Sequence, residues 1–225
     1  VWKISQLFAN WMITPSNPLF KHNILNSQST ILELGCGVSG IIALTLKSLV
    51  RRYVLTDQSY VMKLLNKNLV ANSNIDSKKS LLKHGRALKA KSRKDHSLTE
   101  QSVPELAKIF TTPLDWETDE ITSCFSSAYC DGGFDAIIAC DCIYNENLIE
   151  PLVQTCADAC KIRLSQENFT PTICVFAQQL RLPDIFEAWL KNLCLNFRVW
   201  RIPDEELTQE LNTISGYAVH IAVLK

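Results

Sequence analysis

The segment Ile31-Leu32-Glu33-Leu34-Gly35-Cys36-Gly37-Val38-Ser39-Gly40 joins an apolar run, a carboxylate and three glycines. Glycines in G-x-G-x-x-G spacing let the backbone pass close to a ligand with no Cβ in the way. Alone, that spacing is a weak nucleotide-cofactor signal. Two acids sharpen it. Glu33 stands two residues before the first glycine, and Arg52-Tyr53-Val54-Leu55-Thr56-Asp57 ends in a carboxylate about 20 residues on, where a ribose diol would sit. Glu33 would repel the pyrophosphate of a dinucleotide. No Lys or Arg lies between Glu33 and Lys47 to hold phosphate. S-adenosylmethionine has no phosphate and presents a sulfonium and an ammonium, both of which suit a carboxylate. The loop therefore favours S-adenosylmethionine over NAD. A strand-helix turn without a ligand stays open as the plain alternative.

The elements that must position these groups are legible from periodicity. Ile4, Leu7, Phe8, Trp11 and Met12 fall at helical spacing, and Pro15 and Pro18 end that helix. Strands and helices then alternate. Strands are expected at 30–34, 52–57, 108–114, 134–140, 171–178, 197–203 and 216–225. Helices are expected at about 40–50, 59–72, 145–163 and 183–194. Alternation of this kind means βαβ units and a mostly parallel sheet, an α/β fold. The strands are nearly continuous apolar runs, as strands buried on both faces should be. The last two lack a long helix between them, which predicts an antiparallel hairpin closing the sheet.

The 225 residues fit one domain, 1–225, with an insertion at about 75–106. Equal numbers of acidic and basic residues give no whole-molecule bias toward nucleic acid or membrane. Within the insertion, however, Lys78 to Lys94 carries eight basic residues. They read either as a solvated loop or as an arm for an acidic or RNA-bound partner. The nine cysteines have no zinc-type spacing, and Cys156 and Cys160 fall on the apolar face of a helix, which predicts buried free thiols and a reducing compartment. No metal site is expected. No apolar run is long enough to span a membrane, and no signal peptide is evident. The chain opens on Val1 rather than Met, which suggests that an N-terminal part is missing.

Ligands in doubly wound sheets lie beyond the carboxyl ends of the strands. Those ends carry Glu33, Gly35, Cys36 and Gly37, then Asp57 and Gln58, then Leu114-Asp115-Trp116, then Cys140-Asp141-Cys142-Ile143-Tyr144. Asp115 can accept from an adenine amino group, and Trp116 can wall the ring with its face. The alternatives are a core aromatic for Trp116 and a helix N-cap for Asp141.

In this order, Glu33-Leu34-Gly35-Cys36-Gly37, Thr56-Asp57, Leu114-Asp115-Trp116 and Asp141-Cys142-Ile143-Tyr144 resemble the seven-β-strand protein lysine methyltransferases of the D-x-x-Y type. Val1-Trp2 resembles the V-W pair upstream of the glycine loop in that family. The segment from Asp141 to Leu152 is most similar to the fungal ribosomal-protein lysine methyltransferase 5 group. Lys3 departs from the family, where a small residue or Pro is common. The resemblance implies a Rossmann-like sheet of order 3-2-1-4-5-7-6, strand 7 antiparallel, with helices on both faces. It implies S-adenosylmethionine as cofactor, lined by Trp2, Gly35, Cys36, Gly37, Asp57, Trp116 and Cys140. It puts Asp141 and Tyr144 where the methyl group meets the amine. It also implies methyl transfer to a lysine of a protein substrate, a ribosomal protein in the nearest group; the charge run of the basic insertion separately allows an RNA-proximal contact. A monomer in the cytoplasm or nucleus fits that reading. Three alternatives are kept: a nucleobase-amine methyltransferase, in which prolines would stand at Cys142 and Ile143 as a rigid platform; a non-catalytic cofactor-binding module; and an NAD-linked oxidoreductase.

Overall fold

The computed structural model describes residues 2–85, 108–122, 129, 132–164 and 170–225, with side chains described outside 73–85. Seven strands form one sheet: β1 (Thr30–Leu34), β2 (Arg52–Asp57), β3 (Lys108–Pro113), β4 (Ala136–Cys140), β5 (Ile173–Gln179), β6 (Phe197–Arg201) and β7 (Tyr217–Leu224). They lie in the order β3-β2-β1-β4-β5-β7-β6. Pairing is parallel from β3 through β5, and β7 is antiparallel to both of its neighbours. The expected order and terminal hairpin are those observed. β1 and β4 are buried along their whole length, which accounts for their apolar composition, broken only by Thr30 and Glu33 of β1.

Side chains that alternate along each strand feed two cores. On one face Ile31, Tyr53, Leu55 and Ile138 pack with Ile4, Phe8, Trp11 and Met12 of helix α1 (Lys3–Met12) and with Ile42 and Leu46 of α3 (Ile41–Leu46). The short α2 (Pro18–Lys21) adds Leu19 to that core. On the other face Leu32, Leu34, Val54 and Phe176 pack with Leu152, Val153 and Cys156 of α5 (Ile149–Leu164) and with Trp189 and Leu193 of α6 (Pro183–Asn196). Cys156 and Cys160 are buried free thiols, as their spacing predicted. None of the described helices is long and apolar enough to cross a membrane.

α4 (Ser59–Gly85) corrects one boundary. The helix was expected to stop near Asn72 because apolar periodicity fades there. The backbone stays helical to Gly85, because helix propagation needs no apolar stripe. The rest of the expected basic insertion, 86–106, lies outside the described residues.

α1 reaches the far end of the chain through one buried ring. Trp11 Nε1 donates to the Glu206 carbonyl at 2.7 Å, between β6 and β7. Trp11→Ala is expected to lose about 3–5 kcal/mol of stability. Trp11→Phe keeps most of the packing and should lose about 1 kcal/mol for the unpaired carbonyl. Equilibrium urea denaturation of the two variants measures both.

Candidate active site

Five parallel strands end on one edge of the sheet, and a cavity of about 350 Å³ opens there. Its wall is built from the residues after β1, β2, β3 and β4, closed on one side by Trp2 and Ser5 of the N-terminal helix. Gly35, Cys36, Gly37, Asp57, Gln58, Asp115, Trp116, Cys140, Asp141 and Tyr144 all line it, as does Trp2. The sequence therefore named most of the wall.

The glycine loop has the backbone that its composition predicts. Gly35 and Gly37 both have positive φ, at 63° and 64°. A Cβ on Gly35 would come within 2.8 Å of Cys142 Sγ and 3.2 Å of the Trp116 ring, so the loop and the Asp115-Trp116 segment are in close approach. A Cβ on Gly37 would meet nothing within 4 Å. At Gly37, then, the backbone faces open space. Its N–H donates to Asp57 Oδ2 at 2.7 Å, while Asp57 Oδ1 accepts from the Gln58 N–H at 2.8 Å. Each carboxylate oxygen still has a free acceptor position after these bonds.

Glu33 departs from expectation. It does not line the cavity. Side chains alternate along β1, so Glu33 points to the same face as Ile31 and is 2% exposed. Tyr53 lies diagonally across the β1–β2 ladder, and its hydroxyl donates to Glu33 Oε2 at 2.7 Å. Burial pushes the Glu33 carboxyl up to about 8, with the Asp57 charge adding to the rise and the Tyr53 bond opposing it. Glu33 is therefore mostly neutral at pH 7, and it is not an open anion waiting for a sulfonium. The simple charge argument failed because it counted a formal charge that desolvation removes.

Asp141 is set differently. It follows β4 with φ 62°, an uncommon backbone for a residue other than glycine and one that Asp tolerates better than most. Oδ2 forms an ion pair with Arg181 at 2.6 Å. Oδ1 accepts from Gln178 Nε2 at 3.2 Å. Gln178 also brackets Ile143, donating to its carbonyl at 3.0 Å and accepting from its N–H at 3.2 Å. Asp141 is thus no helix N-cap: Asn145 caps the following turn, Glu146–Leu148. Tyr144 is 56% exposed and Trp2 68%, so the cavity opens to solvent between them. Partial burial raises the Tyr144 hydroxyl above the usual phenol value, which keeps it a protonated donor.

Trp116 combines both of the roles weighed for it. It lines the cavity, packs against the α5–α6 core, and leaves its buried Nε1 without a partner. Cys36, Cys140 and Cys142 form a wall of thiols whose ionisation burial pushes up, so they are inert lining rather than nucleophiles. Among the described residues no cluster of His, Cys, Asp and Glu could hold a metal ion.

Sequence reasoning missed Ser5, Tyr60, Gln178 and Arg181. Tyr60 follows Asp57 closely enough to have been found, since it sits in the first turn of α4. Gln178 and Arg181 carry no motif. They matter only because β5 lies beside β4.

A family model described as lysine methyltransferase matches residues 1–100 and 96–177. The chain belongs to this lysine methyltransferase family. Among curated relatives, the ribosomal lysine N-methyltransferase 5 of Candida glabrata is 24% identical over 88% of this chain and 63% of its own length. A protein of Schizosaccharomyces pombe named diaminohydroxyphosphoribosylamino-pyrimidine deaminase is 27% identical over 93% of this chain and 40% of its own. The chain thus spans less than two thirds of either relative. An S-adenosylmethionine-dependent methyltransferase of Clostridium acetobutylicum superposes with a TM-score of 0.55, at 9% identity, over 97% of this chain and 91% of that one, which shows a shared fold.

Buried Glu33 gives stability a definite pH dependence. Its folded value is raised above its unfolded one, so between about pH 4.5 and 8 the folded state holds a proton that the unfolded state has lost. Stability should fall as pH rises through that window, by on the order of a few kcal/mol. Glu33→Gln stays neutral, and its melting temperature should decline less than that of the parent from pH 5 to pH 8. Parallel curves for the two proteins would mean that Glu33 ionises freely in the fold.

Proposed function

We propose that this lysine methyltransferase family member is an S-adenosylmethionine-dependent protein-lysine N-methyltransferase acting on a ribosomal or translation-associated protein. One observation carries the cofactor reading. The cavity lining contains Asp57, Asp115 and Asp141 and no Lys, Arg or His. A dinucleotide would bring its pyrophosphate against carboxylates, with no Lys, Arg or His among the described lining residues to meet it and Arg181 already paired to Asp141. A phosphate-free, cationic cofactor suits the same wall. The fit extends to detail: the open backbone face at Gly37, the free acceptor positions of Asp57, and the Trp116 ring beside the glycine loop.

In this reading the Gly35-Cys36-Gly37 loop holds the amino-acid end of the cofactor. Asp57 takes the ribose diol, and Gln58, Asp115 and Trp116 take the adenine. Trp2 and Cys140 close the sides. When bound, the cofactor supplies an electrophilic methyl group on a sulfonium. The chain's own task is alignment, which can contribute much of the rate of such a displacement. The solvent-open end between Trp2, Asp141 and Tyr144 admits the lysine. The amine attacks only after losing its proton, and its ordinary value is about 10.4. A half-buried channel facing a cation lowers that value. Tyr144 shapes the channel and hydrogen-bonds there. Asp141 orients the amine and is too weak a base to take its proton unaided.

The protein-amine reading has further support in Cys142 and Ile143, which are both buried. They offer no exposed flat platform for a nucleobase. A ribosomal substrate is supported by the Candida glabrata relative's name.

Asp57→Ala should weaken S-adenosylmethionine binding about tenfold or more in calorimetry, the equivalent of one charge-assisted hydrogen bond, with the melting transition retained. Stronger binding of NAD than of S-adenosylmethionine would overturn the cofactor reading. Tyr144→Phe should bind cofactor like the parent and lose about tenfold or more in methyl transfer. The assay is label from methyl-tritiated S-adenosylmethionine entering ribosomal protein, scored as methyl-lysine after hydrolysis. Label in RNA instead would move the substrate to a nucleobase.

A further inference from the structure

Arg181 is not part of the cavity wall, yet it is bonded to two residues that are. Its guanidinium pairs with Asp141 Oδ2 at 2.6 Å and lies 5.5 Å from the centre of the Trp2 ring. The Asp141 side chain is 3% exposed and that of Arg181 is 36% exposed. One end of the guanidinium is therefore in a dry site and the other faces water. Asp141 is held on its second oxygen by Gln178 and, weakly, by the Gln179 N–H at 3.4 Å. Nothing in this arrangement leaves Asp141 as a bare anion at the open end of the cavity.

We infer that Arg181 is a charge filter for the acceptor end of the site: by neutralising Asp141 and holding Trp2 beside it, it disfavours an ammonium and favours the uncharged amine. The inference rests on the reading that an amine enters at this end. An unpaired carboxylate here would do the opposite. It would stabilise the protonated lysine, which has no lone pair for the methyl group, so tighter binding would come with slower transfer. With the ion pair in place, Asp141 keeps its position and its acceptor geometry but contributes little net field. The other groups around Asp141 do not substitute for Arg181. Gln178 is neutral, Cys140 and Cys142 on either side of it are un-ionised thiols, and Tyr144 is a protonated phenol. Asp57 acts on the same loop through its charge and can only add negative potential, and Glu33 is mostly protonated near neutrality. Among the residues bonded to Asp141, Arg181 is the cation.

Arg181→Met removes the charge and keeps apolar contact with Trp2. Arg181→Lys keeps the charge. The first measurement needs no cofactor and no substrate: binding of n-butylammonium to the protein at pH 7, followed by NMR. Arg181→Met should bind it about tenfold more tightly than the parent, Arg181→Lys should stay near the parent, and Asp141→Asn/Arg181→Met should lose the gain. The second is the pH profile of methyl transfer to ribosomal protein. The acid limb of kcat for Arg181→Met, which reports the bound amine, should move up by about one pH unit, with KM falling while kcat falls. Equal n-butylammonium affinity in parent and Arg181→Met, each with an intact melting transition, would overturn the filter. If the parent transfers no methyl group to lysine, the proposed function fails, and the amine-binding comparison still decides the filter.

Discussion

Ending five parallel strands on one edge releases backbone groups from the ladder in a place that is not open water, and each must find a partner. The site is organised by how they do so. The Cys36 N–H donates to the Thr56 carbonyl, the Leu114 N–H to the Asp57 carbonyl, and the Asp141 N–H to the Ala177 carbonyl. The Gly37 N–H takes the Asp57 carboxylate. Every one of these bonds crosses from one strand end to the next. The loops are tied to one another before any ligand arrives, and the cavity is the space that the tied loops enclose.

The same edge concentrates acids, and the structure gives each a different electrical state by giving it different surroundings. Glu33 is buried beside Tyr53 and stays mostly protonated near neutrality. Asp57 is an acceptor for two backbone N–H groups and keeps lone pairs for a ligand. Asp141 is neutralised by Arg181. Three such acids near one pocket would repel each other and any anion if all were equally charged. Sorting them in this way leaves a wall that is receptive to hydrogen-bond donors and modest in net field. A phosphate-free nucleoside and an uncharged amine both need such a wall.

The N-terminal helix has a part in the site out of proportion to its length. α1 packs Phe8, Trp11 and Met12 into one core and brings Ser5 and Trp2 to the cavity. Trp11 bonds the segment between β6 and β7, and Trp2 lies against Arg181 beyond β5. The helix thus ties the β5-β7-β6 side of the sheet to the pocket wall, and a change in its packing is a change in the wall.

Much of this was readable from the chain alone. Apolar runs with alternating helices specify a parallel sheet, because only strands covered on both faces can be apolar throughout. Glycine spacing specifies close backbone approach, because no other residue tolerates it, and Gly35 and Gly37 have the positive φ that follows. Strand-end acids such as Asp57 and Asp115 could be placed because the end of a strand is itself a local signal. Tertiary structure decided what local signals do not contain. The neutral state of Glu33 followed from its facing Tyr53 in the core, and a formal charge in a sequence says nothing about desolvation. Arg181 and Gln178 entered the site because strand order sets β5 beside β4, 40 and 37 residues along the chain from Asp141. Sequence determines which groups are available and which edge they reach; which charge survives there depends on neighbours that only the folded chain brings together.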